Sequence, residues 1–114
     1  MSALDNSRLT ETFRLSFYQD QDLIGVCKID HDSSTAAIRS ILIDPALRGK
    51  GYGALFISDV KASLAEQGID RVFVNSGLAA IDFYRNAGFV DSPRTEELAR
   101  PEHRHQVVAL ELDL

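Results

Sequence analysis

The 114-residue chain is long enough to bury the core of one globular domain, and its 45% apolar and 25% charged residues fit that class. Its formal net charge of -5 argues against nonspecific binding to nucleic acid, which draws its affinity from neutralised phosphates. No apolar run approaches the ~20 residues of a membrane span and the polar first residues do not resemble a signal peptide, so we expect a cytoplasmic protein without a membrane partner.

Three strands joined by short polar turns are predicted in the first part of the chain. Residues 12–19 alternate between apolar and polar side chains, as a half-buried strand does. Further strands are predicted over 23–29 and 36–43, and the polar stretches 20–22 and 30–34 are typical of turns. Since short turns join antiparallel neighbours, the pattern predicts an antiparallel meander.

Helical periodicity begins after Pro45. Apolar side chains recur at helical spacing from Tyr52 to Leu64, and Gly68 supplies a stop. The short run 71–74 is rich in β-branched and aromatic residues, which predicts a central strand covered on both faces. Strand, helix and strand therefore form the local unit here. The remaining predicted elements are a helix over 78–86 and strands over 89–91 and 106–112.

The single cysteine, Cys27, cannot form an internal disulfide. Its neighbours in the predicted second strand, Ile24, Val26 and Ile29, are apolar, which favours a buried structural residue over a catalytic thiol. No frame of His and Cys residues predicts a metal site, and no Gly-x-Ser-x-Gly elbow predicts a serine nucleophile. We therefore expect chemistry that needs neither of them.

A glycine-rich loop joins the predicted third strand to the first helix. Gly49, Gly51 and Gly53 lack the Cβ atoms that would keep a bulky anion away from the backbone. The N–H groups of the first helical turn can then point at phosphate oxygens, helped by the positive end of the helix dipole. Arg48 and Lys50 add positive charge. The pattern therefore predicts a phosphate-binding loop, whereas the simpler interpretation is that the glycines only tighten a turn.

Two common phosphate-binding motifs do not match this loop. The nucleotide P-loop requires Ser or Thr directly after Gly-Lys, whereas Lys50 is followed by Gly51. The dinucleotide fingerprint requires Gly-x-Gly-x-x-Gly within alternating strands and helices, and neither feature is present. These two classes of nucleotide-binding protein are therefore excluded.

Two motifs instead resemble those of the GNAT superfamily of acyl-CoA-dependent N-acyltransferases. Arg48-x-x-Gly51-x-Gly53 resembles the acyl-CoA signature of that superfamily. Around Tyr84 the chain has an alanine followed by Phe-Tyr-x-x-x-Gly-Phe, which is similar to the later motif of the same superfamily. The two motifs occur in the right order, separated by a helix and a strand of suitable length, and together they cover residues 38–90.

The resemblance implies a single α/β (α+β) domain over residues 1–114. Its GNAT-like sheet would be mixed, mostly antiparallel and of about six strands, with two main helices. The sheet is expected to splay open between the strand ending near Ile43 and the strand ending near Asn75, with acetyl-CoA in the gap. The implied enzyme is an N-acetyltransferase that moves an acetyl group by direct attack of an amine acceptor, without a metal. The acceptor would be a small-molecule amine or a protein amino group.

The resemblance also implies which residues hold acetyl-CoA. Backbone groups at the end of the third strand would pair with the pantetheine arm, and the loop N–H groups would hold the pyrophosphate. Asn75 would lie beside the far end of the pantetheine. The implied cofactor-binding residues are Ile41, Leu42, Ile43, Arg48, Gly49, Lys50, Gly51, Tyr52, Gly53 and Asn75.

Tyr84 matches the family position of the general acid that protonates the CoA thiolate, and a phenol with an ordinary pKa of ~10 can donate without ionising at rest. The alternative is that Tyr84 packs with Phe83 against the sheet. Many family members carry a glutamate base on the strand before the loop, whereas this chain has Arg39 and Ser40 there. The other candidates for a base, besides a water wire, are Asp30, His31, His103 and His105.

Family members commonly carry a strand and two helices before the first hairpin, whereas about eleven residues precede it here. We expect either an open acceptor cleft or one closed by a second subunit, and an exposed strand edge favours a homodimer. Arg39 would then attract an acidic acceptor or simply face solvent. Besides an active acyltransferase, two hypotheses stay open: a CoA-binding regulatory module without turnover, and a glycine-looped interaction domain without CoA.

Overall fold

A mixed sheet carries two helices on one of its faces. The structure is a computed structural model that describes residues 11–93 and 107–114. The elements in these residues are β1 (Glu11–Gln19), β2 (Asp22–His31), β3 (Thr35–Ile43), α1 (Tyr52–Glu66), β4 (Arg71–Gly77), α2 (Ile81–Asn86), β5 (Val90–Asp91) and β6 (Val107–Asp113). The six described strands form one sheet in the order β1-β2-β3-β4-β6-β5.

One parallel pair lies at the centre of this otherwise antiparallel sheet. β1, β2 and β3 form the predicted antiparallel meander, and β4 pairs antiparallel with β6. β3 and β4 are parallel, with α1 as the crossover between them. The predicted mixed, mostly antiparallel GNAT-like sheet of six strands with two main helices is therefore confirmed.

The main core lies between the helices and one face of the sheet. Val72 and Val74 of β4 pack in the same cluster as Tyr84 of α2. Cys27 on β2 belongs to this cluster and is fully buried, as its apolar neighbours predicted. Both helices thus cover the same face. The side chains that α1 buries there recur at helical spacing: Phe56, Ile57, Val60 and Leu64.

Two predicted elements differ from the structure by three residues at one boundary. β4 extends three residues beyond the predicted 71–74, because its backbone stays paired with β6 as far as Gly77. The polar side chain of Ser76 is buried in this extension, so the end of the apolar run did not mark the end of the strand. The predicted helix over 78–86 begins as a 3-10 turn, Leu78–Ala80, and becomes α-helical only at Ile81.

The sheet parts between β3 and β4 at a bulge. Lys28 pairs with Ser40 but its neighbour Ile29 pairs with Ile38, which leaves Arg39 as an extra residue on β3. The ladder between β3 and β4 ends at the same place, with Ile38 opposite Val74. Beyond it, β3 continues along β2 and β4 continues along β6. The predicted splay is present, and β4 ends at Gly77 rather than near Asn75.

Within residues 11–93 and 107–114, no helix is both long and apolar enough to cross a membrane. Among the same residues, no group of three or more His, Cys, Asp or Glu side chains could hold a metal ion.

Candidate active site

A cavity of about 450 Å³ lies where β3 and β4 part, on the face that carries the helices. One wall comes from the end of β3 and from the glycine loop, and the opposite wall from α2 and the 3-10 turn before it. The sequence-predicted site residues in its lining are Ile41, Ile43, Arg48, Gly49, Tyr52, Gly53 and Tyr84. The fold therefore brings both predicted motifs to one cavity, although they are far apart in the chain.

The glycine loop turns with a backbone that favours glycine. Gly49 and Gly51 have φ angles of 80° and 83°, in the left-handed region that other residues rarely adopt. A Cβ atom at either position would meet nothing within 4 Å, so the backbone conformation, and not crowding by the protein, requires these glycines.

The loop also leaves its main-chain donors without acceptors among the described residues. In the described part of the chain, no hydrogen bond is donated by the main-chain N–H groups of residues 49–53, and Gly51 caps α1 without a side-chain hydrogen bond. Arg48 lines the cavity beside them. An anion with several oxygens fits this arrangement, because it would satisfy donors that the helix itself cannot.

Gly53 has a different role from the other two glycines. It lies in the first turn of α1, and a Cβ atom there would come 3.0 Å from Cε1 of Phe83 on α2. The absence of a side chain at Gly53 therefore allows α2 to lie close to α1. Gly53 therefore serves helix packing and also lines the cavity, and its contact with the cofactor stays a prediction.

Tyr84 is both a core residue and part of the cavity lining. Its side chain is 5% exposed, and its ring makes edge contacts with Phe83 and Phe89 at centroid distances of 5.1 and 5.4 Å. Burial, with a smaller contribution from nearby Cys27, raises the pKa of Tyr84 to about 12. The phenol is therefore protonated at neutral pH. Tyr84 therefore packs in the core and also lines the cavity, and its role as the general acid stays a prediction.

Four lining residues were not predicted as site residues: Leu47, Ala79, Ala80 and Phe83. Phe83 also packs edge-on against the ring of Tyr84. Ala79 and Ala80 belong to the same motif as Tyr84, and they line the cavity from the 3-10 turn, across from the glycine loop. Small residues just before an aromatic pair are the signal that would have found them, because a cavity wall next to a backbone needs short side chains.

Four predicted cofactor-binding residues do not line this cavity: Leu42, Lys50, Gly51 and Asn75. The prediction for Leu42 concerned its backbone, and its side chain is 57% exposed. Asn75 pairs with Ala109 and alternates along β4 with Val74, which packs under the helices. The side chain of Asn75 thus belongs to the face opposite the cavity.

The two described candidates for a catalytic base, Asp30 and His31, do not line the cavity. Asp30 accepts hydrogen bonds from Thr12 at 2.5 Å and from Arg39 at 2.8 Å, and the bond from Thr12 and the nearby Arg39 charge lower its pKa. A carboxylate held in this way is a weak base. His31 packs edge-on against the ring of Phe13 and lies 3.6 Å from Glu11. The remaining two candidates, His103 and His105, lie outside the described residues.

The sequence as a whole matches one protein family. Residues 4–110 match the family model described as the acetyltransferase (GNAT) domain. Over 76 residues the chain is 29% identical to a histone acetyltransferase of Glycine max, an alignment that covers 66% of this chain and 33% of that protein. It is 35% identical over 81 residues to an uncharacterized N-acetyltransferase of Chlorobaculum tepidum, and this alignment covers 68% of this chain and 48% of that protein. The chain thus spans between a third and a half of the length of these relatives.

Three solved structures illustrate the similarity of fold, and two of them are N-acetyltransferases. Tetrahymena GCN5 superimposes with a TM-score of 0.74 at 14% identity, covering 90% of this chain and 68% of that one. The PaiA N-acetyltransferase of Thermoplasma acidophilum, in complex with coenzyme A, superimposes with a TM-score of 0.73 at 15% identity, covering 90% of this chain and 61% of that one. The ribosomal-protein-S18-alanine N-acetyltransferase of Escherichia coli gives 0.73 at 17%, with 90% and 68% covered. At these identities the likeness establishes the fold alone.

Proposed function

Because the chain belongs to the GNAT acetyltransferase family, we propose that it moves an acetyl group from acetyl-CoA to an amine. The observation that supports this most directly is the opening between β3 and β4. On one side of it lies the glycine loop, whose main-chain N–H groups donate no hydrogen bond to the described residues, and on the other side lies Tyr84. A cleft with these features can hold a diphosphate at one end and a reacting thioester at the other.

Residues of the loop and of β3 would hold the donor. The main-chain N–H groups of residues 49–53 and the guanidinium of Arg48 would bind the pyrophosphate of acetyl-CoA. The edge of β3 over 41–43 faces no β4 partner among the described strands, which supports the proposal that its backbone groups pair with the amides of the pantetheine arm. Acetyl-CoA itself supplies an acyl group activated as a thioester. Contact between the pantetheine and Asn75 stays a prediction.

Tyr84 would act on the departing thiolate. As the new C–N bond forms and the C–S bond breaks, negative charge moves to sulfur, and a neutral phenol can donate a hydrogen bond to it. With a pKa of about 12, Tyr84 holds its proton more tightly than a thiol of pKa ~8.5. Stabilisation of the developing charge by a hydrogen bond is therefore the larger part of its contribution. When the sulfur finally takes the proton of Tyr84, solvent returns a proton to the phenol.

The acceptor amine must lose a proton before it attacks. Among the described residues, Asp30 is engaged by Thr12 and Arg39, and no carboxylate takes the place of Arg39 and Ser40 on β3. We therefore propose that water at the open side of the cleft removes the proton. This route makes the rate depend on the fraction of amine that is neutral in solution, so basic amines should react faster as the pH rises.

A homodimer is part of the same proposal. β1 is an edge strand that pairs with β2 on one side, and in the described part of the chain no strand lies on its other side. A second copy could extend the sheet there. Sedimentation at several concentrations tests this point, and a monomer at high concentration would remove it without affecting the proposed chemistry.

Calorimetry and a turnover assay test the proposal. Acetyl-CoA is expected to bind, and thiol release with a panel of amines is expected to require both the amine and Tyr84. If no association with acetyl-CoA is detected, the proposed function is wrong.

A CoA-binding regulatory module is the second candidate, favoured by the absence of a carboxylate at Arg39 and Ser40 on β3. Binding of acetyl-CoA without release of thiol to any amine would select it. Thiol release that is faster with an amine than without one would select the enzyme.

A further inference from the structure

Two basic side chains lie directly opposite each other on the sheet face that carries no described helix. Arg14 of β1 pairs with Lys28 of β2, between the pairs Phe13–Ile29 and Leu15–Cys27. Because Ile29 and Cys27 point into the core under the helices, strand alternation puts Arg14 and Lys28 on the other face. Like charges at directly paired positions destabilise a sheet, so this pair does not stabilise the fold.

Neither side chain forms a close ion pair in the described part of the chain, although the charge of Lys28 helps to lower the pKa of Asp30. No ion pair within 4.0 Å involves Arg14 or Lys28 there. The nearest acid on the same face is Asp30, whose oxygens accept from Thr12 and Arg39. This face is therefore locally basic, in a chain whose formal net charge is -5.

The basic pair lies beside the opening of the sheet. Lys28 pairs across β2 and β3 with Ser40, the first residue after the bulge at Arg39, where β3 leaves β4. Neighbouring strands are ~4.8 Å apart, so Lys28 is about one strand from the edge of the opening and Arg14 about two. Asn75 faces the same side from the other edge.

This same face gives an acceptor a route to the opening that no described helix covers. The helices and the cavity proposed for acetyl-CoA occupy the opposite face. A molecule that attacks the thioester between β3 and β4 therefore approaches past Ser40 and Lys28. Any anionic group that it carries comes within reach of the two long basic side chains.

We propose that the acceptor is a small amine bearing an anionic group, a carboxylate or a phosphate, which Lys28 and Arg14 bind while the amine enters the opening beside Ser40. This inference rests on the proposed function and specifies its substrate class. The separation of the opening from the basic pair sets a distance of roughly 5–10 Å between the amine and the anionic group of the acceptor.

Matched pairs of amines provide the test. γ-Aminobutyrate is compared with butylamine, ε-aminocaproate with hexylamine, and phosphoethanolamine with ethylamine, by kcat/KM with saturating acetyl-CoA. The anionic member of a pair is expected to exceed the neutral one by about tenfold or more, because a charge-assisted contact is removed in the neutral amine. The carboxylate and phosphate pairs distinguish the two kinds of anion. A ratio near one for every pair would overturn the proposal.

Variants of the two basic residues test whether they cause the preference for anionic amines. Lys28→Gln and Arg14→Gln are expected to lower the ratio severalfold each, mainly through KM, and Lys28→Glu to lower it further. Arg71→Gln is the matched control: Arg71 is also basic and on the same sheet face, but it lies at the start of β4 and pairs with Asp113 at 2.7 Å. Equal ratios in wild type, Lys28→Gln and Arg14→Gln would overturn the assignment of the site. The Gln variants relieve a like-charge contact, so they are expected to fold, which circular dichroism checks.

Binding measurements separate this inference from the proposed function. If no amine is turned over, γ-aminobutyrate and phosphoethanolamine are titrated calorimetrically into wild type and Lys28→Gln in the presence of coenzyme A. Binding to wild type that is at least about tenfold weaker in Lys28→Gln supports the anion site even though turnover fails. Absence of binding to wild type, or equal binding to both proteins, rejects it.

Discussion

Phe83 on α2 lies so close to Gly53 on α1 that a Cβ atom at position 53 would come 3.0 Å from Cε1 of the ring. The two residues belong to different motifs of the sequence and meet only because α1 and α2 share one face of the sheet. Both also line the cavity proposed for acetyl-CoA. Helix packing and the width of the cleft therefore depend on the same contact.

Gly53→Ala is expected to weaken acetyl-CoA binding severalfold with little change in stability. The added methyl group displaces the Phe83 ring by a few tenths of an ångström and narrows the cleft. The higher helix propensity of Ala, worth up to about 1 kcal/mol, offsets the clash. Calorimetry with acetyl-CoA and thermal unfolding measure the two effects. Phe83→Leu, made in the Gly53→Ala background, should recover part of the affinity, and strictly additive effects would contradict the coupling.

Gly51→Ala and Gly68→Ala form a matched pair at the two ends of α1. Their φ angles are 83° and 84°, and a Cβ atom would meet nothing within 4 Å at either site. Each substitution should therefore lower the free energy of unfolding by a similar amount, about 1–2 kcal/mol. Only Gly51→Ala should also weaken acetyl-CoA binding, by about tenfold or more, because it distorts the loop amides. Equal loss of affinity in both variants would argue against the loop as the diphosphate site.

Tyr84→Phe is expected to lower kcat by about 10²–10⁴ while leaving the Kd for acetyl-CoA nearly unchanged. The phenyl ring retains the edge contacts with Phe83 and Phe89, so the fold should survive the loss of the hydroxyl. Stopped-flow thiol release and calorimetry give the two constants. Phe89→Leu serves as a packing control, since it disturbs the same ring stack without removing the hydroxyl. Unaltered turnover in Tyr84→Phe would exclude the proposed role.

Stability should fall as the pH rises above neutrality into the alkaline range. Burial raises the pKa of Tyr84 from 10.0 to about 12 and that of Cys27 from 9.0 to about 12. A group with a raised folded-state pKa contributes stability below its unfolded pKa and loses it as the pH approaches the folded value. The free energy of unfolding should therefore decrease between about pH 9 and pH 12, by a few kcal/mol in total.

Denaturant titrations at a series of alkaline pH values measure this decrease. Tyr84→Phe should remove the part of the slope that lies above about pH 10, and Cys27→Ala the part that begins near pH 9. The same slope in wild type and in both variants would mean that other groups control the alkaline transition.

The local sequence carried enough information for the fold class and for most of the cavity. The antiparallel meander, the helix after the glycine loop and the buried Cys27 follow from period, turn composition and apolar neighbours, all within short windows. The motifs around Gly51 and Tyr84 identified the two walls of the cavity. These features are local, so the order of residues determines them without knowledge of the partners across the sheet.

Only the tertiary structure decided which residues of distant segments pair or make contact. The bulge at Arg39, the contact of Gly53 with Phe83 and the pairing of Arg14 with Lys28 each join segments whose register depends on the whole sheet. A shift of one residue in a strand moves every side chain to the other face, so residue spacing alone cannot place Asn75 or Lys28 relative to the opening. β4 also continues through Ser76 to Gly77, beyond the end of its apolar run. The extent of its backbone pairing with β6, and not the apolar pattern, determines where the strand ends.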